Sequence, residues 1–272
     1  MVSSFLVPSY PLKLFIDNFY YYTGYHPEHL VDRLLPDGNV QLLMELTDNT
    51  KYIYDNKTLK EIQSCRNTWF SGFRTEPITI PSGRESEMIV ISFKKGRAFP
   101  FFCEPMFSLK NCVVDAELVM ETEILEIREK IREIPDPLDK LRYLDRAFTR
   151  FYSSGLEENT YVDYMISGIE SNPSNIRLKE LTAKVGYSQK HLIKIFKDKV
   201  GVSPKEFLKI IRFQKVVQQL ESGHQVDWNS VAFDCGFYDQ SHFIADFKKY
   251  SGFTPTEYLS RKNEMLNYVP IA

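Results

Sequence analysis

Three lysines in the C-terminal third of the chain are spaced so that they share one side of a helix. Lys190, Lys194 and Lys197 follow one another at intervals of four and three residues, with Leu192 and Phe196 between them. At 3.6 residues per turn the lysines lie on an outer face and the apolar residues on an inner face. A row of ammonium groups suits the phosphates of a nucleic acid, although an ordinary solvated helix would also carry such charges.

The charge of the surrounding sequence favours the nucleic-acid interpretation. Residues 172–262 contain 15 Lys and Arg against 9 Asp and Glu, whereas the whole chain has a net charge of -2. Within this basic segment, residues 172–223 carry +7 and residues 224–262 carry -1, so the first half should dominate electrostatic affinity. A basic segment joined to an acidic one is typical of a nucleic-acid-binding domain fused to a second domain; a chance imbalance is the alternative.

The segment with the three lysines is repeated about 50 residues further along the chain. The first copy, LTAKVGYSQKHLIKIFKDKVGVSPKEFL, begins at Leu181, and the second, VAFDCGFYDQSHFIADFKKYSGFTPTEYL, begins at Val231. The equivalent residues are Gly186 and Gly236, Tyr187 and Phe237, His191 and His242, Leu192 and Phe243, Phe196 and Phe247, Lys197 and Lys248, Gly201 and Gly252, Pro204 and Pro255, and Glu206 and Glu257.

Each copy has the residues of a helix, a tight turn and a second helix. A glycine can take the left-handed end of the first helix, and a serine or aspartate can cap the second. Another glycine ends that helix, and a Ser-Pro or Thr-Pro pair begins the next one. In chain order these residues are Gly186, Ser188, Gly201, Ser203 and Pro204 in the first copy and Gly236, Asp239, Gly252, Thr254 and Pro255 in the second.

The two copies are joined by SPKEFLKIIRFQKVVQQLESG, which predicts a helix of about twenty residues spanning roughly 30 Å. Two such units on one face of a duplex lie about one turn, ~34 Å, apart, so this helix can set their separation. For Arg212 we favour an internal salt bridge over a phosphate anchor. His191 and His242 stand beside apolar positions, and we expect hydrogen bonds that tie each helix to its turn rather than base reading or metal binding.

These motifs resemble the AraC/XylS family of regulators. The matching stretches are GYSQKHLIKIFKDKVGVSPKEFLKIIRFQKVVQQL and GFYDQSHFIADFKKYSGFTPTEYL, and the pattern GF-x-D-x-SHF-x-x-x-FK-x-x-x-G-x-TP is long and specific. The resemblance covers residues 162–262. Upstream, LPDGNVQLLMEL, WFSGFRTEPITI and VISFKKGRAFPFF resemble a less characterised N-terminal domain that accompanies some members.

The resemblance implies a sequence-specific DNA-binding transcription regulator, of which activation through RNA polymerase is the commoner mode. Lys190 and Lys194 would donate to guanine edges, Gln240 would bridge an adenine and Ile193 would meet a thymine methyl. Ala245 stands where many members have arginine, so the second helix would mainly position the protein through the DNA backbone. The residues assigned to DNA binding are Lys190, Ile193, Lys194 and Lys197 in the first copy and Gln240, Ser241, Ile244, Ala245 and Lys248 in the second.

The sequence predicts an α+β fold. VQLLMEL and EMIVISF are short apolar runs that follow turn signals, which favours buried strands. After Asp115 apolar residues recur at helical spacing, Pro135 and Pro137 separate two amphipathic helices, and a third runs from about Tyr161 to Glu170. We expect a β-rich, barrel-like domain at 1–114, a helical linker at 115–158, and an all-α domain at 159–272 with two helix-turn-helix units joined by a long helix.

The N-terminal domain is interpreted as a sensor or dimerisation domain. Its aromatic residues favour an ordinary core over a pocket for a small apolar or sugar ligand. Arg33 and Arg74 are expected in surface salt bridges, with anion anchors as the alternative. The aromatic residues are Tyr20, Tyr21, Tyr22, Tyr25, Trp69 and Phe70.

Rival functions have less support. A small-molecule-processing enzyme needs a catalytic constellation, and His26, Glu28 and His29 lack a third metal ligand. A protein-binding module does not explain the basic bias. The four cysteines, which lack the spacing of a zinc site or a disulfide framework, are Cys65, Cys103, Cys112 and Cys235.

The expected partners follow from this interpretation. They are double-stranded DNA, a small-molecule effector, RNA polymerase and a second copy of the chain, since the linker helices offer an apolar stripe for a homodimer. No run of eighteen apolar residues exists, so we expect no membrane segment and a place in the cytoplasm. We expect no catalytic residue, cofactor or metal.

Overall fold

The structure is a computed structural model that describes residues 1–102, 104–120, 122–183, 188–221, 228, 231, 233, 235–237, 239–263 and 265–271. Strands dominate the N-terminal part and helices the C-terminal part. The predicted α+β fold is therefore confirmed, whereas the boundaries after residues 114 and 158 stay predictions.

The strands form two antiparallel sheets. The first has the order β1-β2-β9-β4-β7-β10 and the second the order β11-β3-β8-β5-β6. The strands are β1 Val2–Leu6, β2 Ile16–Thr23, β3 Val31–Leu34, β4 Gln41–Glu45, β5 Lys51–Tyr54, β6 Glu61–Cys65, β7 Thr68–Ser71, β8 Ile78–Pro81, β9 Glu87–Phe93, β10 Val113–Asp115 and β11 Tyr268–Pro270.

The central strands of the first sheet are covered on both faces. Along β9, Ile89 and Ile91 belong to the main core, whereas Met88 and Val90 belong to a smaller core that includes Ile78 of the second sheet. Successive strand residues point to opposite faces, so a strand covered on both sides needs an uninterrupted apolar run. This explains the EMIVISF and VQLLMEL segments, which form β9 and β4 as predicted.

The helices lie between strands β10 and β11 in the chain. Asp136 caps the second helix by accepting a hydrogen bond from the Asp139 N–H (2.9 Å), which confirms the predicted proline break. Within the described part of the chain, no helix is long and apolar enough to cross a membrane. The helices are α1 Glu123–Arg132, α2 Pro137–Tyr152, α3 Thr160–Ser171, α4 Leu178–Ala183, α5 Gln189–Val200, α6 Pro204–Glu221, α7 Gln240–Ser251 and α8 Pro255–Arg261.

A single hydrophobic core joins the sheets to the C-terminal helices. The Phe73 ring of the N-terminal part lies 5.9 Å from the Phe207 ring of α6, and both side chains are fully buried. Strand β11 at the C-terminus pairs with β3, adding a strand to the second sheet. The sequence analysis did not predict this strand. The N-terminal part therefore holds the C-terminal helices at two separate places.

Candidate nucleic-acid interface

Helix α5 carries the first set of sequence-predicted residues. Ser188 caps it by accepting a hydrogen bond from the His191 backbone N–H (3.3 Å), and Gly201 ends it in the left-handed conformation (φ 98°). The buried face consists of Leu192, Phe196 and Val200. The opposite face carries exposed Lys190, Lys194 and Lys197, with half-buried Ile193 among them. The predicted exposure of the lysines is confirmed, and their binding to DNA stays a prediction.

Helix α7 repeats this arrangement. Asp239 caps it by accepting from the His242 backbone N–H (2.7 Å), and Gly252 ends it with φ 81°. The buried face includes Phe243, Phe247 and Tyr250. The predicted DNA-binding residues Gln240, Ser241, Ile244, Ala245 and Lys248 are all exposed. We call α5 and α7 the reading helices.

Helix α6 connects the two reading helices. Its 18 residues span about 27 Å, slightly less than the sequence estimate. Phe207 in its first half lies 5.7 Å from Phe196 of α5, and Phe213 in its second half lies 5.3 Å from Phe247 of α7, measured between ring centroids. The predicted connecting helix is thus packed against both reading helices through buried aromatic rings.

The helices after the reading helices begin with equivalent caps. Ser203 and Glu206 exchange hydrogen bonds at the start of α6, and Thr254 and Glu257 do so at the start of α8. Burial alone would raise the pKa of Glu206, but hydrogen bonds from Lys110 and Ser203 outweigh it and lower this pKa to about 2. The Ser-Pro and Thr-Pro predictions are confirmed, and the first cap also joins the N-terminal part.

The turn of the second unit is only partly described. Gly236 has φ 81°, and a Cβ added there would lie 2.6 Å from the Ser174 carbonyl oxygen, so glycine is required. This confirms the prediction of a left-handed glycine in the second copy. The equivalent Gly186, with Tyr187, lies outside the described residues.

An open cleft of about 700 Å³ lies between α4, α6 and the first turn of α7. We call it the inter-unit cleft. Its basic side chains are Arg177, Lys179, Lys205, Lys209 and Arg212, and its lining further includes Ile176, Leu178, Glu180, Leu208 and His242. The sequence analysis missed the cleft, although Lys205, Lys209 and Arg212 repeat the spacing of the α5 lysines and offered a signal.

Arg212 differs from its predicted role. Its Nε donates to the Pro173 carbonyl oxygen (2.8 Å) and its Nη2 to the Ser174 carbonyl oxygen (3.3 Å). Desolvation lowers the pKa of this guanidinium. The predicted salt bridge was wrong, because the loop before α4 supplies backbone acceptors instead of a carboxylate.

Asp246 is an unforeseen acidic residue of α7. It is buried, and its carboxylate lies 3.1 Å from Lys209 Nζ of α6 and 3.5 Å from His242 Nε2. The His242 ring also contacts the Phe237 ring of the preceding turn edge-on. A hydrogen bond from His242 to the turn was predicted, whereas the structure shows a ring contact with the turn and a carboxylate contact within α7.

The N-terminal aromatic residues mostly pack rather than line a pocket. Tyr21, Trp69 and Phe70 are buried, and Tyr20, Tyr22 and Tyr25 are half-buried. The Tyr22 hydroxyl lies 3.5 Å from the Met88 sulfur in the core between the sheets. These contacts agree with the favoured interpretation of an aromatic core.

Arg33 and Arg74 are not in surface salt bridges. Arg33 is buried, donates to Thr79 Oγ1 (3.3 Å) and lies 4.9 Å from the centre of the Phe253 ring, beyond the end of α7. Nε and Nη1 of Arg74 are buried and have no hydrogen-bond partner among the described residues. Arg74 lines a cavity of only about 80 Å³, and desolvation lowers its pKa. The surface salt-bridge prediction was wrong for both, because the C-terminal region covers this side of the sheets.

The suspected metal and cysteine features have simple surroundings. His29 Nε2 lies 2.9 Å from Asp32 Oδ1. The described ranges contain no group of three or more His, Cys, Asp or Glu residues placed to hold a metal ion. Cys65 and Cys235 are buried free thiols, Cys112 is a half-buried one, and Cys103 lies outside the described residues.

Two family models match the chain, one in each part of the fold. A model described as a helix-turn-helix domain matches residues 181–261, which include both reading helices and α6. The C-terminal region is therefore similar to helix-turn-helix domains. A domain of unknown function (DUF6597) matches residues 4–115, which cover strands β2 to β10 and most of β1.

Two curated relatives are similar to parts of the chain. One is an uncharacterized HTH-type transcriptional regulator, YbfI, of Bacillus subtilis, 32% identical over 123 residues, or 44% of this chain and 44% of the relative. The other, from Haemophilus influenzae, is 26% identical over 94 residues, or 35% of this chain and 31% of the relative. The match spans less than half the length of each. Both are described as HTH-type transcriptional regulators.

Solved structures give weaker likenesses. ToxT from Vibrio cholerae is 14% identical, with 89% of this chain and 97% of ToxT covered and a TM-score of 0.47. A DNA-binding transcriptional dual regulator from Escherichia coli is 26% identical over 39% of this chain and 100% of that chain, with a TM-score of 0.34. Both TM-scores are below 0.5, so the description of the C-terminal domain rests on its own helices and caps.

Proposed function

We propose that this protein is a sequence-specific DNA-binding transcription regulator whose reading helices enter successive major grooves of one duplex. The observation that carries the proposal is the repeated arrangement of α5 and α7. Each is capped, anchored by buried aromatic residues and exposed along the face that bears the predicted DNA-binding residues. Because α6 packs on both, the helices are held at a fixed separation, as two grooves of one duplex require.

The reading helices have different tasks in this proposal. Lys190, Lys194 and Lys197 of α5 supply most of the electrostatic affinity, and Lys190, Ile193 and Lys194 also face bases. Lys194 Nζ lies 2.6 Å from Asp198 Oδ2 in the free protein, and an exposed pair of this kind exchanges readily for a DNA contact. In α7, exposed Ala245 offers no cation, so we assign this helix chiefly to positioning on the backbone.

The proposal extends to regulation. Activation through RNA polymerase, a homodimer, a cytoplasmic location and control by a small molecule in the N-terminal domain stay predictions. The N-terminal part approaches the end of each reading helix, which supports its controlling role. A Cβ added at Gly201 would lie 3.1 Å from the Met106 carbonyl oxygen, and one at Gly252 would lie 2.6 Å from Arg33 Nη1.

The test begins with selection of bound fragments from the source genome by the full chain, followed by sequencing. Lys194→Ala is then compared with the wild type on a selected fragment and on a duplex of random sequence. We expect a loss of about 1 to 3 kcal/mol on the selected fragment and less on the random one, because base readout acts only on the specific site. Lys60→Ala, an exposed lysine next to β6, is the control.

One outcome contradicts this function and another contradicts the role of Lys194. Selection that enriches no common sequence would remove sequence-specific binding, and equal losses on both duplexes would reduce Lys194 to a phosphate contact. Transcription from a selected fragment with purified RNA polymerase distinguishes activation from repression. Sedimentation of the full chain tests the homodimer, and a thermal-shift screen of metabolites tests the effector.

A further inference from the structure

We propose that the inter-unit cleft binds the backbone phosphates of the DNA strand that passes between the two reading helices. This inference rests on the proposed function and assigns a second contact surface to it. None of the cleft residues belongs to the predicted reading faces. The cleft would contribute affinity without reading sequence, because phosphates are the same at every base pair.

The charge of the cleft matches this occupant. Its lining contains five Lys or Arg side chains and a single Asp or Glu, and Ile176, Leu178 and Leu208 add an apolar part. Arg177 pairs with Glu180 at 3.1 Å, and Lys209 pairs with Asp246 at 3.1 Å. A surplus of positive charge therefore remains, and an anion would be attracted to it.

Lys179 and Lys205 provide much of this surplus. Both side chains are exposed, and neither has a carboxylate within salt-bridge distance in the described part of the chain. Lys205 lies in the first turn of α6, where the helix dipole disfavours a cation. An unpaired lysine in this position does nothing for the stability of the helix, whereas it can serve a negatively charged ligand.

The first half of α6 carries basic residues along the side that is not buried. Of residues 204–213, only Lys205, Glu206, Lys209 and Arg212 are not buried. The three cations follow at intervals of four and three, so they lie along one side of the helix. The aromatic and aliphatic residues around them fill the core. This part of the connecting helix therefore presents positive charge to whatever occupies the cleft.

The position of the cleft selects DNA as the occupant. One wall is α4, the first helix of the first unit, and such helices cross the DNA backbone. Another wall ends at His242, next to the predicted reading residues Gln240 and Ser241 in the first turn of α7. With α5 and α7 in successive major grooves, we expect the strand between these grooves to pass the mouth of the cleft.

The experiment uses the full-length double variant Lys179→Gln/Lys205→Gln. Affinities for a labelled random duplex and for a selected genomic fragment are measured by fluorescence anisotropy from low to moderate salt. We expect the affinity for both duplexes to fall approximately tenfold, because two phosphate contacts are lost. Each lost phosphate contact also removes about 0.9 from the slope of log affinity against log salt. The double variant should therefore reduce the slope by about 2.

The matched control is Lys57→Gln/Lys60→Gln, which removes two exposed lysines between β5 and β6. A slope for the cleft variant equal to that of this control overturns the proposal, as does a loss confined to the selected fragment. Lys179→Arg/Lys205→Arg should restore the wild-type slope, and failure to restore it also counts against phosphate binding. Wild-type protein without salt-dependent DNA binding would instead defeat the proposed function itself.

A free phosphate ligand is distinguished by thermal unfolding with inorganic phosphate at constant ionic strength. The cleft assigned to duplex DNA should give the same small shift in the wild type and the double variant. Stabilisation of the wild type that the double variant loses would place a soluble phosphate compound in the cleft and overturn the DNA assignment.

Discussion

The two reading helices share a framework but differ on their surfaces. Ser188 and Asp239 occupy equivalent caps, and Gly201 and Gly252 end the helices with the same left-handed conformation. The outer face of α5 carries three lysines, whereas that of α7 carries Gln240, Ser241, Ile244, Ala245 and Lys248. Caps and buried rings are required for each unit to fold, but nothing in folding fixes the outer face. In the proposed function, this difference corresponds to a division of labour on one duplex.

The same two units differ in their contacts with the N-terminal part. The end of α5 at Gly201 faces the Met106 carbonyl and the Phe73 side chain. The end of α7 at Gly252 faces the Arg33 guanidinium, which lies over the Phe253 ring. The first contact is made by backbone and the Phe73 side chain, and the second by a buried guanidinium that also contacts Thr79 and the Phe253 ring. A conformational change in the sheets would therefore act on the first unit through backbone and apolar contacts and on the second unit through a guanidinium group.

We expect the largest effect, on the free energy of unfolding, when a core phenylalanine of either unit is removed. Phe247→Ala and Phe196→Ala should each lower the free energy of unfolding by about 3 to 5 kcal/mol, because both rings are fully buried. The loss should be greater for Phe247, whose ring neighbours include Phe213, Phe243 and Tyr258. Denaturant unfolding of the full chain measures both. The reverse order would show that the first unit is the more tightly packed.

The next comparison uses equivalent lysines. Lys197→Ala should reduce affinity for random DNA by about 1 kcal/mol at moderate salt, as expected for one phosphate contact. Lys248→Ala should have a smaller effect, because Lys248 is already attracted to Glu257 and its unit lacks surplus positive charge. Anisotropy titrations decide the order. Equal losses would remove the proposed division of labour.

A variant that adds a positive charge to α7 tests the same difference between the two reading helices. Ala245→Arg adds a cation to the exposed face of α7 and should raise affinity for random DNA by up to about 1 kcal/mol, with a salt slope steeper by about 0.9. Ala245→Gln is the uncharged control. An unchanged slope would mean that this face of α7 does not approach the DNA backbone.

The smallest expected effect concerns the acidic caps. The pKa of Glu206 falls from its ordinary 4.5 to about 2 in the folded state, so its stabilisation is present above pH 4.5 and is lost as the pH falls through about 2. Glu206→Gln should flatten the pH dependence of unfolding in this range. Glu257→Gln should do so less, since Lys110 assists only Glu206. Urea unfolding at stepped pH compares the two, and an equal effect would exclude a contribution from Lys110.

Much of the C-terminal domain could be predicted because its signals are local. The cap at Ser188, the glycine at Gly201 and the exposed lysines depend on residues within a few positions of each other. The apolar runs of β4 and β9 likewise marked strands buried on both faces. Their partners in the sheets could not be predicted, because pairing joins distant segments.

The wrong interpretations have a common physical cause. Arg212 and Arg33 were assigned by the usual surface chemistry of arginine. In the structure, backbone carbonyl oxygens accept hydrogen bonds from Arg212, and the Phe253 ring contacts Arg33. Asp246 was overlooked because its partner, Lys209, lies on another helix. In each case the partner is remote in sequence, so residue type alone did not identify it.

By itself, the sequence determined where the repeated helices begin and end and which of their faces is apolar, because hydrogen bonds to caps and helical periodicity act over a few residues. Only the tertiary structure decided that β11 joins β3, that α6 packs against both reading helices, and that basic residues of α4 and α6 meet in one cleft. These arrangements depend on long-range packing, in which the same apolar residue can be buried against many surfaces and the whole chain selects one.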